Sequence, residues 1–131
     1  MRSCHATNSL PGKTSVFDQM RCIVGERYKL IYNLLPGLPW VPVDFSGTEM
    51  FAELKRMHKS GELDTLSSRL YFSPTRPMFE LYDLRNDPCE QHNLIDDPAL
   101  KEIRNDLILR LTYKMIEDED FVTLPHPKIY E

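Results

Sequence analysis

The groups in this chain that could carry chemistry are four histidines, three cysteines and twenty acidic side chains. His5, His58, His92 and His126 stand far apart, and no H-x-x-x-H or H-E-x-x-H spacing sets two of them on one helix face. Cys4, Cys22 and Cys89 form no C-x-x-C pair, so they build no zinc site and allow at most one bridge. Asp83, Asp87 and Glu90 are near enough in sequence to gather a cation. They straddle a strand end and the turn at Pro88, so exposed turn carboxylates are the expectation. The acidic run Glu117, Asp118, Glu119 and Asp120 lacks the D-x-D-x-D-G register of a calcium loop and reads as a solvated helix end. No G-x-S-x-G, P-loop or G-x-G-x-x-G occurs. The sequence therefore presents no catalytic group and no metal-binding set.

Composition narrows the classes further. A chain of 131 residues with 41% hydrophobic and 27% charged residues has ordinary globular usage and length for one modest core. Its net charge of −4 argues against a nucleic-acid or anionic-membrane partner. No apolar run reaches the roughly eighteen residues that span a bilayer, so no membrane partner is expected. The residues after Met1 form no apolar signal segment, which leaves localisation open.

Ten prolines divide the elements that must position any site. Residues 1–16 read as a flexible arm or loop. The runs 20–24 and 27–34 flank Gly25-Glu26 and predict a hairpin with a type II′ turn, Gly25 taking the positive φ. Tyr28, Leu30, Tyr32 and Leu34 alternate with polar residues, the period of a half-buried strand. Pro36, Pro39 and Pro42 exclude regular structure around Trp40. A helix follows, with a capping box of Ser46 and Glu49 and a stripe of Met50, Phe51, Leu54 and Met57, ending at Ser60-Gly61. Asp64 can cap a further short turn, and residues 79–84 read as a strand. Asp97 as N-cap and Pro98 at the first position start a terminal helix. Its stripe is Leu100, Ile103, Leu107, Leu111 and Met115, and it runs to about Glu117. Residues 125–131 read as an extended tail.

One stretch says more. Glu80-Leu81-Tyr82-Asp83-Leu84-Arg85-Asn86-Asp87-Pro88, with Glu90 and Asn93-Leu94, resembles the E-L-Y-D-L-x-x-D-P-x-E-x-x-N-L signature near the C-terminus of sulfatases. Upstream, Met20-Arg21-Cys22-Ile23-Val24 and the run from Arg27 to Leu34 resemble a hairpin of the same enzymes. Asp97-Pro98 and the helix after it match their ending. Order, spacing and the proline-aromatic insert after Asn33 are closest to the heparan N-sulfatase (sulfamidase) branch.

The resemblance implies an α+β fold: a small antiparallel sheet packed against a long C-terminal helix, over residues 17–124. It implies a subdomain of a larger alkaline-phosphatase-like enzyme, whose N-terminal catalytic domain would be this chain's partner. Calcium and a formylglycine, made from C-x-P-S-R or S-x-P-S-R, belong to that domain. The nearest look-alike here, Phe72-Ser73-Pro74-Thr75-Arg76, has phenylalanine where the nucleophile precursor must stand. Sulfuryl transfer needs an activated nucleophile and a cationic clamp, so the chain alone is expected to be inactive. The resemblance offers two substrate-binding residues, His5 and Arg21, to meet a sulfated saccharide. Arg21 can equally pair with a carboxylate of the fold, while Arg27 and Lys29 read as solvated strand residues. A subdomain of this kind should show an apolar docking surface near Trp40 and Phe45, open to self-association. The alternative is a free-standing interaction or carbohydrate-binding module derived from a sulfatase ending.

Overall fold

The computed structural model describes residues 19–40 and 47–121 in full, and residues 2–8 and 18 through their backbone. Four strands, β1 (Arg2–Asn8), β2 (Asp18–Val24), β3 (Tyr28–Asn33) and β4 (Phe79–Asp83), form an antiparallel sheet in chain order. Between β3 and β4 lie two helices, α1 (Glu49–Ser60) and α2 (Thr65–Phe72). After β4 a 3-10 turn (Pro98–Leu100) leads into α3 (Lys101–Glu117). This is the α+β architecture expected, with the three strands β2 to β4 and α3 building the core.

That core is a row laid across the sheet. Ile23 pairs with Leu30 and Leu30 with Leu81, and directly paired residues share a sheet face. Leu107 and Leu111, one helical turn apart, cover this row. Leu100, Ile103 and Met115 pack around it, so the whole expected stripe of the terminal helix faces the sheet. Asp97 accepts the Ala99 N–H at 2.9 Å and Pro98 opens the first turn, as the capping pattern requires.

Several local expectations are corrected. Residues 2–8, assigned to the arm, pair with β2 from Arg2 opposite Val24 to Asn8 opposite Asp18. The polar, proline-free composition of that stretch suits an edge strand as well as a loop. The hairpin apex sits one residue later than expected: Gly25 N–H donates to the Tyr28 carbonyl at 2.9 Å, leaving Glu26 and Arg27 at the tip. Among the described glycines only Gly61 has positive φ, so no type II′ turn forms. Arg27 is held there because its carbonyl accepts the Leu84 N–H at 2.8 Å and its side chain binds Asp83. The N-cap of α1 is Thr48, which accepts the Phe51 N–H at 3.3 Å; Ser46 lies outside the described residues. On that helix Phe51 is buried, whereas Met50 is exposed. Gly61 at φ 76° ends α1, and Asp64 caps α2 through the Ser67 N–H. The tail 125–131 and Phe45 also lie outside the described residues.

Candidate functional site

Strand pairing brings the two candidate substrate-binding positions together: position 5 of β1 stands directly opposite Arg21 of β2. Arg21 is 7% exposed. Its Nη2 donates to Asp120 Oδ1 at 2.6 Å, its Nε donates to the other carboxylate oxygen, and Nη1 donates to the Met20 carbonyl at 3.0 Å. A two-pronged pair of this kind is the strongest geometry an arginine can make with a carboxylate. The hydrogen bonds it donates to Asp120 raise the Arg21 pKa, so the guanidinium is firmly charged. Of the two roles open to Arg21, the structure shows the carboxylate partner. An anionic sugar would have to displace Asp120 to reach it.

The sequence reading missed two neighbours of this arginine. Asp120 belongs to the acidic run assigned to solvent, yet it is half-buried against β2. A carboxylate just past a helix C-terminus is poorly placed for the helix dipole, and that misfit is the signal that a cation elsewhere holds it. Gln19 lies two residues before Arg21, on the same face of β2. It is buried, and its Oε1 has no hydrogen-bond partner.

The residues of the Glu80 signature are spent on the sheet and its turn. Asp83 is buried and accepts from Arg27 Nε and Nη2, Asn86 Nδ2 and the Arg85 N–H. Led by the Arg27 hydrogen bonds, these donors hold its pKa down at about 2. Glu90 binds Lys29 at 2.7 Å, and Asp87 accepts the His92 N–H at 2.8 Å. The expectation of exposed turn carboxylates is therefore corrected, as is that of a solvated Lys29, whereas the Arg27 side chain stays 42% exposed while it binds Asp83. The turn places Asp83 and Glu90 beside the hairpin cations Arg27 and Lys29, and Asp87 where the backbone donates to it. Glu80 accepts from Asn33 Nδ2 at 2.5 Å and from the Tyr82 hydroxyl; burial, with Glu80 beside it, pushes the Tyr82 pKa up. Asn93 Oδ1 accepts the Leu81 N–H at 2.9 Å and the Leu94 N–H donates to the Leu81 carbonyl at 2.8 Å. The Asn-Leu pair thus closes the outer edge of β4.

The remaining described groups are packed or stand singly at the surface. His58 is exposed and stacks on Phe72 at 4.5 Å, and His92 is exposed in its turn. Phe72, where the look-alike motif would need a nucleophile, stacks between Phe51 and His58, while Arg76 donates to the Leu35 and Leu38 carbonyls. Cys22 is disulfide-bonded and Cys89 is a free, exposed thiol; position 4 stands opposite Cys22 in the strand register. Among the described residues no group of three His, Cys, Asp or Glu side chains could hold a metal ion. Asp83 and Glu90 already serve Arg27 and Lys29. No described helix is long and apolar enough to cross a membrane.

Comparison with known proteins gives the geometry its context. No family profile matches the chain. One ulvan-active sulfatase of Formosa agariphila is 31% identical over 101 residues, which are 72% of this chain and 17% of that enzyme. Another ulvan-active sulfatase of the same organism is 59% identical over 32 residues, 24% of this chain and 6% of that enzyme. Part of this chain is homologous to a sulfatase. The chain spans less than a fifth of the length of either relative. Neither relative singles out the heparan N-sulfatase branch.

Proposed function

We propose that the chain is the C-terminal, non-catalytic part of a sulfatase that acts on sulfated saccharides. The observation that carries this reading is the match to an ulvan-active sulfatase over 72% of the chain. The fold adds support: the signature residues Glu80, Asp83, Glu90 and Asn93 brace one small sheet and need no ligand to explain them. In this reading the chain supplies structure and one wall of a substrate pocket, with position 5 and Arg21 at the wall. Calcium and formylglycine belong to the catalytic domain, which is the partner. The order of the motifs and the proline-aromatic insert after Asn33 favour the heparan N-sulfatase branch within the sulfatases. The alternative, a free-standing module, predicts no dependence on a catalytic partner.

The surface that receives the catalytic domain is the one around Trp40. Leu38, Trp40 and Leu70 are exposed, and the indole leans on Tyr71 at 5.6 Å between ring centroids. The test is enzymatic. The purified chain hydrolyses neither an aryl sulfate nor glucosamine N-sulfate, with or without calcium, and turnover that survives repurification overturns the reading. An ulvan-active sulfatase deprived of its matching segment should bind the chain, and Trp40→Ser should weaken that binding. Absence of any binding favours the free-standing module.

A further inference from the structure

Leu109, Tyr113 and Ile116 lie on the side of α3 turned away from Leu107 and Leu111, because each residue advances about 100° around the helix. They are 54%, 60% and 65% exposed, and Phe121 just beyond the helix is 78% exposed. Three apolar side chains at spacings of four and three make a stripe that an amphipathic surface helix would give to polar residues. From Leu109 onward the terminal helix is thus apolar on two opposite sides, and the sheet covers only one of them; in its first turns the outer side carries Glu102 and Asp106.

We infer that this stripe packs against the same stripe of a second copy of the chain, the two α3 helices running antiparallel. The flanking charges select that occupant. Asp106, Arg110 and Glu117, the last 3.9 Å from Lys114, lie on one flank of the stripe, and Asn105 and Thr112 on the other. Two antiparallel helices centred on Tyr113 place Leu109 against Ile116 of the second copy. The same register sets Arg110 beside Glu117 of the second copy, so each end of the pairing gains opposite charges. A parallel pairing sets the charged flank against the uncharged one and gains nothing. Arg110 already binds Asp106 at 2.8 Å within its own helix, on the same flank, so it is held on the side where the second copy's Glu117 arrives. From Leu109 to Ile116 the stripe is only about 10 Å long, at the small end of specific interfaces, so the association is weak and concentration-dependent. The inference does not depend on the sulfatase reading.

Sedimentation equilibrium of the chain over a concentration series tests it. The expected result is a monomer–dimer equilibrium, with Ile116→Glu raising the dissociation constant at least about tenfold while leaving the denaturation midpoint unchanged. Arg110→Glu should weaken the dimer, and adding Glu117→Arg to it should restore the association. A chain that stays monomeric throughout overturns the inference and leaves the stripe to a different protein. A dimer indifferent to Ile116→Glu and Leu109→Glu overturns it equally, because the contact then lies elsewhere. Failure of the charge reversal to restore association overturns the antiparallel register.

Discussion

Arg21 and Asp120, 99 positions apart in the chain, are joined by two parallel hydrogen bonds between guanidinium and carboxylate. The pair fastens the segment just past α3 to β2, at the end of the helix where the backbone alone would repel a carboxylate. Both side chains are largely shielded from water, at 8% and 13% exposure. Position 5 stands across from Arg21 on β1, so the fastening occupies the place where the sulfatase resemblance puts a substrate wall.

Removing one partner of this pair leaves a shielded, unmatched charge. Asp120→Ala should destabilise the chain by about 3 kcal/mol, the range for broken buried pairs. Replacing both residues together, Arg21→Met with Asp120→Leu, should recover most of that loss. Urea denaturation of the single and double variants measures both effects. Equal losses in all variants would show that side-chain packing rather than charge holds the segment.

The face of α3 can be checked in the same way. Leu107 lies over the Leu30–Leu81 row, so Leu107→Ala should cost about 2–5 kcal/mol. Leu109, two residues on and exposed, should change stability by less than about 0.5 kcal/mol when replaced by alanine. Similar midpoints for the two variants would mean that the helix is rotated from the face described.

The periodic elements were legible in the sequence because their burial is local and repetitive. Leu107 and Leu111 stand where a 3.6-residue period puts them, and Leu30 where a two-residue period does. The ion pairs were not legible. Arg27 and Lys29 look like solvent-facing strand residues until β4 and its turn bring Asp83 and Glu90 alongside, across separations of 56 and 61 positions. Asp120 failed for the same reason, since no local pattern announces a partner on the other side of the sheet. The shifted hairpin apex shows tertiary contact overriding turn chemistry. Gly25 could have taken a positive φ, but the Leu84 and Asp83 contacts keep Arg27 at the tip.

The Asp83 carboxyl gives the chain a defined acid response. Its folded pKa of about 2 lies below the ordinary aspartate value of about 3.9. The folded state therefore binds this proton less readily than the unfolded state, and the stabilisation is complete above about pH 4. It is lost as pH falls towards about 2, when the carboxylate protonates and Arg27 loses its partner. Asp83→Asn should be less stable than the parent chain at pH 6 and should show a shallower loss between those two values. Urea midpoints followed across that window test this. Parallel curves for the two proteins would assign the acid response to other carboxylates.

Asn93 closes the outer edge of β4 by accepting, not donating: its Oδ1 receives the Leu81 N–H at 2.9 Å and the Ile95 N–H at 3.0 Å. Leu81 is fully buried, so its amide cannot turn to water if that acceptor disappears. Asn93→Ala should therefore cost about 1–3 kcal/mol, the penalty for an unsatisfied buried donor. Asn93→Asp keeps both acceptor positions, because an ionised carboxylate oxygen occupies the place of the amide oxygen. It should retain most of the stability at neutral pH. Amide hydrogen exchange separates this account from a general loosening of the loop. In Asn93→Ala the Leu81 amide should lose protection more than that of Leu30 on the neighbouring strand, whereas in Asn93→Asp it should stay protected. Equal loss at both amides, or equal damage from both substitutions, would show that the side chain matters for the loop's shape rather than for sealing the sheet edge.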